Sequence, residues 1–357
     1  MKLTEDDIAR VCRLVDELAG IQWDASKAYL IESRLPSLLR DHQCADLTDL
    51  VSKVRTNFNP QIRADFVDAI TTRETLFFRD ESPFEALRHK ALPEIIDAKS
   101  QSTWARRLRL WSAACSSGQE PYSLGIVLRE LIDDIDNWDV QILATDLSTA
   151  ALASASKGVY SDFEMSRGID PRRRDKYFHK VAGGWKICDE VRSMVSFAQR
   201  NLLQPFTNIG PFDVIFCRNV AIYFDMPVKK DLFERLAGAL TQNGALFVGS
   251  SESLSGFGMR WKALHHCRSI FYQPNRESLG PVASVAATSP IARPTAAPPP
   301  SRPVTTPAAS AKSAATSPTA STKPFAPTKP LATTARTPPA ATPRPFAAAA
   351  PASTMKR

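Results

Sequence analysis

Six small residues in the first half of the chain, Ala113 to Gly118, form a segment with almost no side-chain bulk. A ligand can therefore lie against this backbone and against the N-terminal end of the helix that Glu120 and Pro121 are predicted to begin. The preceding run, Leu108 to Trp111, is predicted to be a buried strand. A strand, a small-residue turn and a helix in this order are typical of a nucleotide-type cofactor site. The same order also occurs in α/β domains where nothing binds at the turn.

An acid at the tip of the next apolar run points to the same kind of cofactor. Asp146 ends the run VQILATD and lies 28 residues beyond Gly118. Nucleotide-binding α/β domains place at this distance the carboxylate that holds the ribose hydroxyls. The alternative for Asp146 is a helix cap or a surface acid, but Ser148 is the better cap for the following helix. We therefore predict that Asp146 binds the ribose of a cofactor.

Two arginines have side chains that could hold a carboxylate of a substrate or cofactor. Arg218 follows FDVIFC, an almost continuous apolar run that predicts a strand covered on both faces. It therefore lies at the carboxyl edge of the predicted sheet, where open α/β sheets bind ligands. Arg79 lies near the end of the segment TTRETLFFRD. Each has a structural alternative: an ion pair at the strand end for Arg218, and a surface pair with Asp80 or Glu81 for Arg79.

Three segments in this order resemble the CheR-type family of chemotaxis-receptor methyltransferases. They are TTRETLFFRD at 71–80, WSAACSSGQEPYS at 111–123 and FDVIFCRNVAIYFD at 212–225. The resemblance extends from about residue 4 to about residue 273. It implies S-adenosylmethionine as the cofactor, and it implies a reaction in which glutamate side chains on the cytoplasmic helices of chemotaxis receptors become methyl esters.

The resemblance also implies roles for individual residues. Arg79 and Thr75 match positions beside the transferred methyl group, and Tyr223 matches the active-site tyrosine of the family. The implied catalytic residues are Arg79, Arg218 and Tyr223. The implied cofactor-binding residues are Arg73, Thr75, Arg79, Ala113, Gly118, Glu120, Asp146, Asn201, Leu202, Cys217, Arg218 and Asn219, of which Asn201 and Leu202 match contacts to the adenine end.

Two positions depart from the family pattern. The family often has asparagine where this chain has Arg73, and it often has histidine where this chain has Ser250. These departures support one alternative, a protein of the same fold that binds S-adenosylmethionine as a sensor or scaffold without turnover.

The implied reaction needs little acid–base chemistry. Methyl transfer from a sulfonium is an in-line displacement, and a glutamate with a reference pKa near 4.3 is already ionised at neutral pH. Positioning and removal of water are then the main contributions of the enzyme. Arg79, Arg218 and Tyr223 can each hold a carboxylate oxygen of either the substrate or the cofactor, and the sequence leaves open which residue does which.

The elements before residue 73 are predicted to be helical. Thr4 and Asp7 form a capping-box pattern, and apolar residues then recur at helical spacing up to Gly20. Further helices are predicted at about 26–40, 46–55 and 60–71, with Pro36 expected to kink or interrupt the first of these. Residues 1–72 therefore form a small helical domain. Its basic residues either make a solvated face or, as the resemblance implies, dock an acidic receptor helix.

Residues 73–273 are predicted to form the methyltransferase domain, with a Rossmann-like α/β sheet. Ser82 is expected to cap a helix that extends to about Lys99. The remaining predicted elements are helices at 122–131, 148–158 and 227–240, strands at 194–202, 245–253 and 268–273, and an Asn243-Gly244 turn. The segment 159–195 is predicted to be an antiparallel β insertion with strands Lys176 to Val181 and Trp185 to Asp189 around a Gly183-Gly184 turn.

The composition changes after residue 273. Residues 274–357 hold 18 of the 27 prolines and carry a net charge of +9, whereas residues 1–273 carry 35 basic and 36 acidic side chains. The segment 274–357 is therefore predicted to be a disordered basic tail. A nucleic-acid partner is not expected, because the folded part has no excess of basic residues. A nicotinamide dehydrogenase is not expected either, because the loop lacks G-x-G-x-x-G.

Several expected absences complete the prediction. His265 and His266 are adjacent on a strand and face opposite ways, so no metal is expected. No apolar run is long enough to insert into a membrane. Six cysteines without a C-x-x-C pair, together with an N-terminus without an apolar signal segment, are typical of a cytoplasmic protein. We expect a monomer that can be recruited to membrane receptor arrays.

Overall fold

The computed structural model describes residues 3–56, 59–100 and 106–275. Four helices come first: α1 Glu5–Ala19, α2 Ala28–Asp41, α3 Leu47–Thr56 and α4 Pro60–Ile70. The predicted capping box is confirmed, since the Asp7 amide donates to Thr4 Oγ1 at 3.1 Å and Asp7 accepts from the Thr4 amide. The helices pack around a shared apolar core that includes Val11, Leu14, Ile31 and Phe66.

Pro36, which was expected to kink or interrupt the second helix, does not interrupt it. Pro36 lies inside α2, which continues to Asp41. Leu35 and Leu38, on either side of the proline, are buried in the core of the four helices. Burial of this face outweighs the backbone hydrogen bond that proline cannot make.

A seven-stranded sheet forms the centre of the second part. Its order is β6-β2-β1-β7-β8-β10-β9, in which the first five strands are parallel and β10 is antiparallel to both of its neighbours. The strands are β1 Arg107–Ala113, β2 Asp139–Asp146, β6 Val195–Gln199, β7 Phe212–Cys217, β8 Leu240–Phe247, β9 Trp261–His266 and β10 Ser269–Pro274. The Rossmann-like α/β prediction is therefore confirmed.

Helices cover both faces of this sheet. Leu110 and Phe216 contribute to a core on one face, beneath α7, while Trp111 and Ile215 contribute to the core beneath α12 on the other. The helices around the sheet are α5 Ser82–Ala86, α6 Leu92–Ser100, α7 Gln119–Leu131, α8 Thr149–Lys157 and α12 Met226–Ala239, and a π-helical turn, Leu87–Ala91, joins α5 to α6.

The helix that begins at Ser82 is not capped as predicted. Ser82 is its first residue, and the preceding Glu81 makes no capping hydrogen bond from its side chain. The φ angles of Phe78, Asp80 and Glu81 are +49°, +64° and +35°, in the region that favours glycine. The chain therefore enters α5 through a strained turn, and this turn must be held by contacts elsewhere.

A small antiparallel sheet is inserted between β2 and β6. Its order is β3-β5-β4, with β3 Val159–Tyr160, β4 Phe178–Val181 and β5 Gly184–Ile187. The insertion was predicted, but two strand bounds were wrong, because Lys176 belongs to a helix and Asp189 begins another. The helices of the insertion are α9 Asp162–Met165, α10 Pro171–Tyr177 and α11 Asp189–Arg192.

The predicted Asn243-Gly244 turn was also wrong. Both residues lie inside β8, where the pairing with β7 shifts from Phe212 opposite Leu240 to Val214 opposite Ala245. This irregularity places the extra residues of β8 in a bulge. A Cβ at Gly244 would lie 3.1 Å from the Phe212 carbonyl oxygen, so glycine permits the close approach.

The predicted basic tail lies outside the described residues, apart from its first two positions. All six cysteines are free. Within residues 3–56, 59–100 and 106–275, no helix is long and apolar enough to cross a membrane.

A pair of glycines tests how the insertion is fixed to the strained turn. A Cβ at Gly168 would overlap the Phe77 carbonyl oxygen, whereas a Cβ at Gly183 would meet nothing within 4 Å. Their φ angles are +85° and +92°, so alanine is similarly strained at both sites. Gly168→Ala should lower the free energy of unfolding by about 1–3 kcal/mol more than Gly183→Ala, measured by urea denaturation. Equal losses would show that the insertion is not held at Phe77.

Candidate active site

A cleft of about 940 Å³ opens at the carboxyl edge of the parallel strands. Three parts of the chain supply its walls: the turn after α1, the segment that links the two parts of the structure, and the loops after β1, β2, β6 and β7. Its lining residues are Ala19, Ile21, Thr71, Thr72, Glu74, Thr75, Arg79, Ala114, Ser116, Glu120, Asp146, Leu147, Arg200, Asn201, Leu202, Arg218, Asn219, Val220, Tyr223 and Phe224.

The small-residue loop forms the floor of the cleft by an unusual backbone path. Ala114 and Ser116 line the cleft and have φ angles of +63° and +51°. Ala113 and Gly118, both predicted to bind the cofactor, are not among the lining residues. Gly118 instead permits close packing, since a Cβ there would lie 2.8 Å from the Ala155 Cβ on α8. The loop thus presents backbone toward a ligand, as predicted, through different residues.

Asp146 occupies the end of β2 and faces the cleft. Its carboxylate accepts hydrogen bonds from the Ser116 amide at 2.8 Å and the Ser148 amide at 2.9 Å, one on each oxygen. Each oxygen keeps a further lone pair for a hydroxyl donor. Burial raises the pKa of Asp146 above that of an ordinary aspartate, and the backbone hydrogen bonds oppose this shift. Ser148 caps α8, as predicted, by accepting from the Ala151 amide.

Arg218 makes the ion pair at the strand end that was the structural alternative for it, and it also lines the cleft. Only 1% of its side chain is exposed, and its guanidinium donates to Asp80 Oδ2 at 2.8 Å and Glu120 Oε2 at 3.3 Å. It also donates to the Arg79 carbonyl oxygen at 2.7 Å. Burial raises the pKa of Glu120, and Arg218 opposes that shift. Arg218 therefore joins the end of β7 to the start of α7 and to the strained turn.

Arg79 lies in the cleft without such partners. Its Nη1 donates to the Glu74 carbonyl oxygen at 3.0 Å. Among the described residues, none places a carboxylate oxygen within 4.0 Å of its guanidinium. The predicted alternative, a pair with Asp80 or Glu81, is absent there because Asp80 pairs with Arg218. Thr75 lines the cleft beside Arg79.

Arg73 does not line this cleft. It is exposed and lies at a separate polar groove between α2 and α4. Its carbonyl oxygen accepts a hydrogen bond from Ser116 Oγ at 3.2 Å, which ties the linking segment to the small-residue loop.

The loop after β7 carries Asn219 and Tyr223, and one residue that sequence reasoning missed holds it in place. The Glu252 carboxylate accepts from the backbone amides of Asn219, Val220, Ile222 and Gly249 at 2.6–3.2 Å. The glutamate at the end of GSSE was a visible signal, but no sequence pattern shows which amides a carboxylate will accept from. Tyr223 is 37% exposed at the cleft mouth.

Two further predicted positions have different surroundings. Cys217 is fully buried and outside the lining residues, and burial raises the pKa of its thiol well above the usual range. Ser250 is exposed.

The end of α1 reaches the cleft beside β6. Asn201 Nδ2 donates to the Leu18 carbonyl oxygen at 2.8 Å, and the Gln22 amide donates to the Tyr223 carbonyl oxygen at 2.9 Å. Ala19 and Ile21 thereby become lining residues. Sequence reasoning did not find them, because they lie about 180 residues from their partners and carry no motif.

The residues present fit S-adenosylmethionine. Asp146 and Glu120 offer carboxylate acceptors for hydroxyl or ammonium donors, and the small-residue loop leaves room for a ligand against the backbone. Arg200, also a lining residue, makes no side-chain hydrogen bond within the described structure, so its guanidinium can donate to a ligand. No cluster of three or more metal-ligating side chains occurs among the described residues.

The strand order and the cleft at the carboxyl edge define a Rossmann-like S-adenosylmethionine-dependent methyltransferase. The family described as "CheR methyltransferase, SAM binding domain" matches residues 73–269, and "CheR methyltransferase, all-alpha domain" matches residues 6–71. The chain belongs to the CheR methyltransferase family.

Named relatives agree with this assignment. The chain is 40% identical over 267 residues to chemotaxis protein methyltransferase 1 of Pseudomonas aeruginosa, covering 72% of this chain and 94% of that protein. It is 39% identical, with the same coverage, to chemotaxis protein methyltransferase Cher2 of Pseudomonas putida. It is 36% identical over 274 residues to chemotaxis protein methyltransferase 1 of Vibrio cholerae, covering 76% and 98%.

Replacement of Asp146 should weaken cofactor binding in a pH-dependent way. Asp146→Ala should reduce S-adenosylhomocysteine affinity by about 1.5–3 kcal/mol for each charged hydrogen bond lost. Because the pKa of Asp146 is raised, protonation on acidification should weaken binding at a higher pH than an ordinary aspartate would. Calorimetry at several pH values should show that acidification weakens S-adenosylhomocysteine binding less in Asp146→Asn than in the native chain, because asparagine has no proton to gain. An identical pH profile in Asp146→Asn and the native chain would contradict a role for this carboxylate.

Proposed function

We propose that this methyltransferase acts on glutamate side chains of chemotaxis-receptor helices and produces glutamyl methyl esters. The observation that supports this most directly is Arg79, a cation in the cleft without a carboxylate partner among the described residues. An arginine without a carboxylate partner can bind one carboxylate by donating two parallel hydrogen bonds to it. The names of the relatives identify them as chemotaxis methyltransferases, and this supports a receptor as the substrate.

The proposed chemistry requires orientation more than proton transfer. S-adenosylmethionine supplies an electrophilic methyl group when it is bound. An incoming glutamate is already ionised near neutral pH, so no residue of the chain has to remove a proton. Arg79 and the Tyr223 hydroxyl would hold the carboxylate so that one oxygen points into the cleft at roughly 3–3.5 Å from the reacting carbon. Closing of the mouth by the receptor helix would exclude water from this oxygen.

Arg218 has a different role in this proposal. Its guanidinium is committed to Asp80, Glu120 and the Arg79 carbonyl oxygen. It therefore positions the backbone of Arg79 and the Glu120 carboxylate rather than binding the substrate. Glu252 has the same kind of role for the loop that carries Asn219 and Tyr223.

The division of the chain follows from this proposal. Residues 1–72 would dock the receptor, residues 73–273 would carry out methyl transfer with residues 159–195 as an insertion, and residues 274–357 would form a basic extension. The alternative is a sensor or scaffold that binds the cofactor without turnover. The two departures that supported it, Arg73 and Ser250, both lie outside the lining residues of the cleft.

The proposed function predicts a base-labile product. The full chain should transfer label from methyl-labelled S-adenosylmethionine to a receptor cytoplasmic fragment, and mild base should release the label as methanol. A fragment with its methylated glutamates changed to alanine is the matched control. Base-stable label would point to another acceptor atom, and cofactor binding with no transfer to any fragment would favour the scaffold.

Arg79 and Arg218 should respond differently to replacement. Arg79→Ala should lower kcat by a larger factor than it weakens S-adenosylhomocysteine binding, because its interactions form with the acceptor. Arg79→Lys keeps the charge but loses the two-point geometry, so it should restore only part of kcat. Unchanged turnover of Arg79→Ala at saturating substrate and cofactor would remove Arg79 from the reaction.

Arg218→Ala should instead lower the free energy of unfolding by about 3–5 kcal/mol, because it leaves Glu120 buried without its cation. Urea denaturation of the two alanine variants measures this contrast. Equal stability of both variants would contradict the positioning role.

A further inference from the structure

Arg200 lies at the carboxyl edge of the sheet, next to the acid predicted to hold the ribose. β6 pairs with β2 so that Gln199 is opposite Asp146, and the Arg200 amide donates to the Asp146 carbonyl oxygen at 3.0 Å. Arg200 is the residue with which the chain leaves β6, and it lines the cleft. Its position is therefore fixed by the sheet rather than by a free loop.

The side chain of Arg200 lacks the partners that neighbouring arginines have. Among the described residues, none accepts a hydrogen bond from its guanidinium, and none places a carboxylate oxygen within 4.0 Å of it. By contrast, Arg192 donates to the Ser156 carbonyl oxygen, and Arg235 donates to two carbonyl oxygens and pairs with Asp231. The terminal nitrogens of the Arg200 guanidinium are therefore free to donate to an acceptor on a ligand in the cleft.

Asn201, the adjacent residue, already has protein partners at both ends of its amide. Its Nδ2 donates to the Leu18 carbonyl oxygen, and its Oδ1 accepts from the Leu203 amide. The side chain that was expected to contact the adenine end therefore holds the end of α1 against β6. Arg200 is the neighbouring side chain whose guanidinium donors are still unused.

The strand order indicates which end of the cofactor Arg200 faces. In the sheet, β1 and β7 lie on one side of β2, and β6 lies on the other. Arg218 follows β7, and it holds the carbonyl oxygen of Arg79 on that same side. If Asp146 holds the ribose at β2, the sulfonium and amino-acid end belongs toward β1 and β7, so the base belongs toward β6. Leu147 and Leu202, which follow β2 and β6, line the cleft with apolar surface suited to a flat base.

We propose that Arg200 is a cofactor-binding residue that donates a hydrogen bond to a ring nitrogen of the adenine of S-adenosylmethionine. Adenine presents N1, N3 and N7 as acceptors, and the guanidinium presents a planar fork of donors. This contact would add recognition of the base to the hold on the ribose by Asp146.

Calorimetry on the full chain tests this contact with two probes, S-adenosylhomocysteine and 5′-methylthioadenosine. The second probe keeps the adenine and ribose but has no amino acid. Arg200→Ala should weaken both by a similar factor, about tenfold or more, and Arg200→Lys should restore part of the affinity. Arg192→Ala is the matched control, since it removes an exposed arginine that is not among the lining residues. It should leave both affinities unchanged.

Analogues of S-adenosylhomocysteine that lack N1, N3 or N7 identify the acceptor. The analogue that lacks the contacted nitrogen should bind the native chain more weakly than S-adenosylhomocysteine does. Its affinity should then fall little further in Arg200→Ala, because the hydrogen bond is already absent. A loss confined to S-adenosylhomocysteine would place Arg200 at the amino-acid carboxylate and overturn the assignment. Unchanged affinity in Arg200→Ala, or equal binding of all three analogues to the native chain, would overturn it as well.

Discussion

The buried guanidinium of Arg218 is the interaction on which the cleft depends. It lies at the end of a strand that is covered on both faces, and it is held by two carboxylates and one carbonyl oxygen from separate parts of the chain. A buried cation of this kind is tolerated only when its partners are all in place. This one group therefore joins three separate parts of the chain: the end of β7, the first turn of α7 and the strained turn that leads into α5. The positive φ angles at Phe78, Asp80 and Glu81 persist because this contact determines them.

A carboxylate, that of Glu252, organises the loop that follows Arg218 in a similar manner. Glu252 collects four backbone amides at the ends of β7 and β8, where parallel strands leave donors without ladder partners. The buried Arg218 and the half-buried Glu252 thus hold backbone and side-chain groups in place around the end of β7. Arg79 and Arg200, by contrast, line the cleft without a carboxylate partner among the described residues, so their guanidinium groups are available to ligands.

The sequence predicted the sheet well, because it rests on local patterns: a nearly continuous apolar run such as FDVIFC favours a strand covered on both faces. The sequence also predicted Asp146 at the tip of the second strand, where the structure has it, while its binding of the ribose stays a prediction. Sequence reasoning failed where the decision lies in distant packing. Pro36 stays within α2 because its neighbours are buried, and Asn243-Gly244 lies within β8 at the point where its register with β7 shifts. The pairing of Arg218 with Asp80, rather than of Arg79 with Asp80, depends on residues about 140 apart and has no local signature.

The hydrogen bond between Asn201 and the Leu18 carbonyl oxygen joins residues separated by 183 positions. A contact of such high sequence separation carries a large loop-closure entropy, so the wall formed by Ala19 and Ile21 can be completed only after the sheet and the first helix have both formed. Partly folded chains therefore lack a complete cofactor site. A ligand that binds only the native state shifts the folding equilibrium toward that state. Bound S-adenosylmethionine therefore raises the free energy needed to separate the first helix from the sheet.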